Sequence, residues 1–128
     1  MKFLLDTHFV LWVPIDHPQI SSQARTVLSN PANQFVFSVS SIWELAIKRG
    51  LQRRDFLFDP REVRRLLIEN GYEELTVQSR HAVAVDSLPA IHKDPFDRIL
   101  IAQAMVEGIT LLTADPVIDQ YPGPIRRV

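Results

Sequence analysis

Five acidic residues stand where a solvated surface charge is not the expected explanation. Asp6 follows the apolar run Phe3-Leu4-Leu5, and Asp115 comes just after Leu111-Leu112-Thr113, each at the carboxyl end of a candidate strand. Asp94 and Asp97 open the apolar segment ILIAQAMVE, and Glu44 lies inside IWELAI with apolar neighbours on both sides. In open parallel sheets, ligands bind beyond the carboxyl ends of the strands. Strand-end carboxylates and acids on adjoining helix starts can therefore converge in one crevice. Carboxylates gathered there repel one another, and a hard divalent cation relieves that repulsion at least cost. Mg²⁺ takes oxygen ligands, keeps several waters and uses one or two direct carboxylates. With no cysteine and no evident histidine pair in the chain, an all-oxygen site points to Mg²⁺ or Mn²⁺ over zinc. Such an ion polarises a phosphoryl oxygen, activates water and stabilises a leaving oxygen, so phosphodiester hydrolysis is the chemistry that fits.

Each acid also has an ordinary structural use. Asp94 before Pro95 reads as a helix N-cap, and Asp97 three residues on offsets the helix dipole. Asp115 before Pro116 can cap a short final helix. Ser41-Ile42-Trp43-Glu44 has the S-x-x-E form of a capping box. Asp6 has the weakest such use, because an acid ending a buried strand has no capping need unless a turn follows. Ser40, Ser41 and Thr113 are candidates for orienting carboxylates or metal-bound water. Among the histidines, His8 stands two residues from Asp6, and His81 reads as a structural residue of an apolar helix. His92, in IHKDPFD, is placed to meet a phosphate or Asp94. Trp12 and Trp43 are expected in the core rather than as base-stacking platforms. Lys48, Arg49, Arg53 and Arg54 follow the Glu44 helix directly and could hold a phosphate backbone, whereas Arg61 and Arg65 are expected on a solvated helix face.

The elements that must position these residues follow from apolar periodicity and punctuation. Residues 2–5, 33–39 and 109–113 are short continuous apolar runs suited to strands buried on both faces, and residues 72–77 are a weaker extended stretch. Helices are expected over Ser21–Leu28, from Ser41 to about Lys48, from Asp59-Pro60 to Gly71, over Ser79–Leu88, and from Asp94-Pro95 to Gly108. Short apolar strands alternating with helices predict an α/β fold with a parallel sheet covered on both faces.

The 128-residue length fits one domain. Fourteen Lys+Arg against fifteen Asp+Glu leave a net charge of −1, which rules out a global polycationic surface. The absence of cysteine excludes a disulfide framework and a thiol nucleophile. Asp6 and His8 interrupt the apolar start, which argues against a secretory leader, and no run is long enough for a membrane span. A cytoplasmic protein with no membrane association is expected.

Four blocks, LLDTHFVLW, SVSSIWELAIKRG, HKDPFDRILIAQA and EGITLLTAD, occur in an order that resembles the PIN-domain family, and most closely its VapC-type ribonuclease toxins. The resemblance covers nearly the whole chain and is weakest over residues 50–75. It implies a three-layer α/β sandwich whose mostly parallel sheet has four to five strands. It matches the family's acids to Asp6, Glu44, Asp97 and Asp115. The third match rests on Ala104, seven positions beyond Asp97 in the small-residue helix. It further implies that Asp6, Asp97 and Asp115 hold Mg²⁺ or Mn²⁺ for RNA cleavage, with Asp94, Thr7 and Thr113 as auxiliary residues. A homodimer and a cognate antitoxin are the partners it implies, with residues 51–58, rich in phenylalanine, a candidate docking surface. A PIN-like module that binds RNA or protein without cutting is the alternative. A phospho-acceptor receiver domain is the weaker rival, since no lysine follows a late strand.

Overall fold

The computed structural model describes residues 1–51 and 58–128. Strand β1 (Lys2–Leu5) leads into helix α1 (Thr7–Trp12), followed by α2 (Ser22–Ser29), β2 (Gln34–Ser38) and α3 (Val39–Gly50). Helix α4 (Pro60–Glu69), β3 (Glu73–Leu75), α5 (Ser79–Ala84), α6 (Pro95–Glu107), β4 (Thr110–Thr113) and β5 (Ile125–Arg127) complete the order. The strands form one five-stranded sheet among the described residues, in the order β3-β2-β1-β4-β5. Every pairing is parallel, with Leu4 opposite Val36 on one side and Leu111 on the other. Receiver domains use the strand order 2-1-3-4-5, so the topology removes that rival.

Alternation along the strands divides the core into two layers. Phe3, Leu5, Phe35, Phe37 and Leu112 point to the face covered by α1, α2, α3 and α4, where Phe9, Val10, Ala24, Leu45, Val63 and Leu67 meet them. Leu4, Val36 and Leu111 point to the other face and pack on Leu100, Ile101 and Ala104 of α6. Because β1 is central and covered on both sides, Phe3, Leu4 and Leu5 are fully buried, which is why it reads as an unbroken apolar run.

Most expected elements are present, with informative shifts. Helix α1 was not expected; Asp6 ends β1 and caps it, accepting a hydrogen bond from the Phe9 N–H at 3.1 Å. Helix α3 starts at Val39 with Ser38 as N-cap, so the Ser41–Glu44 capping box does not form. The helix expected over Ser79–Leu88 is α-helical only to Ala84 and closes in a 3₁₀ turn over Val85–Ser87. Strand β5 was missed: it is a three-residue edge strand with two exposed arginines and lacks the apolar run that marks a central strand. Asp59 and Asp94 cap α4 and α6 as expected, each before a proline at the first helical position. Gly108 ends α6 at φ +66°, a conformation that costs any residue with a Cβ. Among the described residues, no helix is long and apolar enough to cross a membrane.

Candidate active site

The carboxyl ends of β1 and β4 lie side by side, joined by the hydrogen bond from the Asp6 N–H to the Leu112 carbonyl. Asp6 is only 1% exposed. Its Oδ2 accepts the Thr113 hydroxyl at 2.5 Å, and Thr113 Oγ1 in turn accepts the Asp115 N–H at 3.0 Å. One threonine thus links the two strand-end acids. Burial pushes the Asp6 carboxyl above the ordinary carboxylate range, against the opposing pull of the bonds from Thr113 and the Phe9 N–H. Asp115 Oδ1 accepts the Val117 N–H at 2.8 Å and shapes the turn toward Ile118–Gln120, but the N-cap of that short helix is Val117, with no side-chain bond, so the capping expected of Asp115 does not form.

A second group stands on α3 beside α1. Thr7 Oγ1 donates to Glu44 Oε1 at 3.1 Å and lies 3.1 Å from Ser41 Oγ. Glu44 Oε2 meets the Lys48 ammonium, one turn on, at 2.7 Å. Glu44, 6% exposed, therefore spends its oxygens on Thr7 of α1 and on Lys48 of its own helix, and not on the helix end. Ser40 is drawn to Ser38, 2.8 Å between hydroxyls, and serves the start of α3.

The third group opens α6. Asp94 Oδ1 accepts the N–H groups of Phe96, at 2.9 Å, and Asp97, at 3.4 Å. His92 does not bond Asp94: its Nε2 lies 2.8 Å from Asp97 Oδ2. Burial pushes the Asp97 carboxyl up to about 6, with the Asp94 charge adding to the effect, His92 opposing it, and the Glu44 charge adding further. That Glu44 acts on Asp97 shows that the acids of α3 and α6 share one field. The loop carrying His92 is anchored from behind. Tyr121 Oη accepts the His92 N–H at 2.6 Å and the Arg98 Nη1–H at 3.1 Å, while Arg98 also reaches the carbonyls of Pro89 and Val85. Nothing in the sequence pattern marks Tyr121; the H-x-D-x-x-D spacing was the available signal for the His92–Asp97 contact.

Potential metal-ligating atoms of His92, Asp94 and Asp97 lie within 4.8 Å of one another, the one such group among the described residues. Asp6 and Asp115 are not drawn into it. The donors suit a divalent cation because their charge is uncompensated. Among the described residues no Lys or Arg pairs with Asp6, Asp94, Asp97 or Asp115, and burying unpaired carboxylates is costly. The basic residues are engaged elsewhere. Lys48 is held by Glu44 and Arg49 by Asp59 at 2.9 Å, so either must break an ion pair to reach a phosphate. Arg65 bridges Glu62 and Glu69 on the expected solvated face, and Arg61 stays beside Asp59. Arg53 and Arg54 lie outside the described residues, as do Phe56 and Leu57 of the candidate docking surface. Trp43 is not a core residue: it is 61% exposed, edge-on to the Phe96 ring at 5.2 Å. It borders an apolar groove of about 500 Å³ lined also by Val39, Val77, Val85 and Ile99. His81 is fully buried, as a structural residue should be.

A parallel α/β sandwich with acids at adjoining strand ends and helix starts, most of them without a Lys or Arg partner among the described residues, defines an α/β protein with an anionic site. The PIN domain family model matches residues 3–124, and the chain belongs to that family. No curated protein sequence matches the chain. Solved structures share the fold at low identity. VapBC2 from Rickettsia felis, bound to a DNA fragment from its promoter, is 15% identical with a TM-score of 0.72, covering 100% of this chain and 99% of its own. DNA-bound VapBC from Salmonella typhimurium is 18% identical with a TM-score of 0.65, covering 99% and 98%. VapBC-1 from nontypeable Haemophilus influenzae is 18% identical with a TM-score of 0.59, covering 94% and 91%.

Proposed function

We propose that the protein is a metal-dependent endoribonuclease, a VapC-type toxin of a toxin–antitoxin pair. The observation that carries this reading is Asp6: a buried carboxylate at the carboxyl end of the central strand, held by Thr113 and the Phe9 N–H and given no cationic partner among the described residues. Asp6, Asp97 and Asp115 would hold Mg²⁺ or Mn²⁺, which would supply Lewis-acid polarisation of the phosphoryl group and an activated water. Thr113 holds Asp6 and the Asp115 backbone in register. Thr7 and Lys48 fix the Glu44 carboxylate, which orients the attacking water and takes its proton. Water adds to phosphorus as the bond to O3′ breaks, and the proton lost by the water is made good at the leaving O3′ from solvent, giving a 5′-phosphate and a 3′-hydroxyl. Asp94 fixes the helix start that presents Asp97 and would stand beside it as an auxiliary ligand.

Support for the biological setting comes from the PIN membership and from fold neighbours that are VapBC assemblies. On that basis the partners are a cognate antitoxin and a second copy of the chain, and the compartment is the cytoplasm. The test is cleavage of mixed cellular RNA by purified, partner-free protein, wild type and Asp6→Asn, with Mg²⁺, with Mn²⁺ and with chelator. Wild-type cleavage that requires metal and is lost in the variant is the expected outcome. Equal cleavage by both proteins overturns the site, and RNA binding without metal-dependent turnover marks a non-catalytic module.

A further inference from the structure

An all-oxygen site was expected, yet an imidazole stands among the carboxylates. We propose that His92 supplies a nitrogen ligand to the divalent-cation site through Nε2, alongside Asp97 and Asp94, so that the site prefers a first-row transition ion such as Mn²⁺ to Mg²⁺. The inference rests on the metal-dependent reading above and names which residues choose the ion.

Three observations carry it. His92 Nε2 lies 2.8 Å from Asp97 Oδ2. Adjacent ligands of an octahedral ion at about 2.1 Å from the metal stand about 3.0 Å apart, so the pair opens by only a few tenths of an ångström to chelate. A cation bound by both atoms would take the place of the hydrogen bond between them. Second, the Asp94 carboxylate is within 4.8 Å of both groups while its Oδ1 serves as the helix cap, so it is fixed in place by the cap. Third, the loop is anchored for precision. The Tyr121 hydroxyl accepts the His92 N–H and donates to the His92 carbonyl at 3.2 Å, and Arg98 braces that hydroxyl. The His92 and Asp97 side chains are 29% and 17% exposed, open enough for an ion to enter. Hard Mg²⁺ takes oxygen ligands, whereas imidazole suits the transition ions.

The test uses Mn²⁺ itself as the probe. Electron spin-echo spectra of Mn²⁺ bound to the full chain, and Mn²⁺ and Mg²⁺ affinities by calorimetry, are compared for wild type, His92→Gln and Tyr121→Phe. The wild type should show modulation from a directly bound ¹⁴N that disappears in His92→Gln, with Mn²⁺ affinity falling about 10-fold or more and Mg²⁺ affinity changing far less. Tyr121→Phe keeps the ligand and loses its anchor, so it should keep the ¹⁴N signal with a smaller loss of Mn²⁺ affinity. Bound Mn²⁺ without nitrogen modulation overturns the inference and leaves the metal-dependent reading standing. Modulation that persists in His92→Gln assigns the nitrogen to another residue and also overturns it. Failure of Mn²⁺ to bind the wild type overturns both.

Discussion

Replacing Asp97 by asparagine should make the metal-free protein more stable at neutral pH, by an amount that the site's electrostatics set. Burial and the charges of Asp94 and Glu44 push the Asp97 carboxyl from 3.8 to about 6. A carboxyl whose pKa is raised by folding stabilises the fold in its protonated form. That contribution is complete below the unfolded value near 4 and is lost as pH rises through about 6. Two pKa units correspond to about 3 kcal/mol. The asparagine forfeits the charge-assisted bond to His92, worth about 1.5 kcal/mol, so the net gain at pH 8 is about 1.5 kcal/mol. For a chain of this size that is a rise of roughly 5 °C in melting temperature. The assay is calorimetry of both proteins in chelator from pH 4 to pH 8. Their difference should open between pH 4 and 6 and then level off. Saturating Mn²⁺ should reverse the order above pH 6, stabilising wild type and leaving the variant unmoved. A variant no more stable than wild type at pH 8, or a gap that is the same at pH 4 and pH 8, refutes the claim that Asp97 is held as an uncompensated charge.

The other perturbations act on the groups that position the acids. Thr113→Val removes the donor to Asp6 and the acceptor of the Asp115 N–H in a fully buried place. It should cost about 2 kcal/mol in denaturant unfolding and weaken Mn²⁺ binding measured by calorimetry, and unchanged values for both would deny Thr113 its linking role. Lys48→Met leaves the Glu44 carboxylate, 8% exposed on its side chain, with the Thr7 hydroxyl and no cation among the described residues. It should lower stability by about 1 kcal/mol in denaturant unfolding at pH 8, and an unchanged stability would deny Lys48 its hold on Glu44.

How far the sequence revealed these groups depended on whether the signal was local. Phe3-Leu4-Leu5 announced a central strand because burial on both faces demands an uninterrupted apolar run, and Asp94-Pro95 and Gly108 marked α6 because capping and left-handed backbone are decided by neighbours in the chain. Asp6 was singled out by its place at a strand end, although its capping of α1 was hidden, because the apolar residues that resume at Phe9-Val10-Leu11-Trp12 are too few to separate strand from helix. Strand β5 was illegible for the opposite reason, since an edge strand needs no apolar run and arginines fill two of its three positions.

The site's side-chain partners were mostly beyond local reading. Thr113 and Asp6 are 107 positions apart, and Thr7 and Glu44 are 37 apart, so both bonds exist only because the parallel order places β4 and β2 on either side of β1. Ser41 and Glu44 satisfied a local rule for a helix start, but the serine one turn earlier, Ser38, took the cap and released Glu44 to meet Thr7 and Lys48. Had Glu44 closed that box, its charge would be spent on backbone N–H groups at the helix start. Left free of the cap, it adds to the field that lifts Asp97. Asp94 at the start of α6 and Glu44 on α3 thus both raise the cost of ionising Asp97, and a cation bound there would offset that cost.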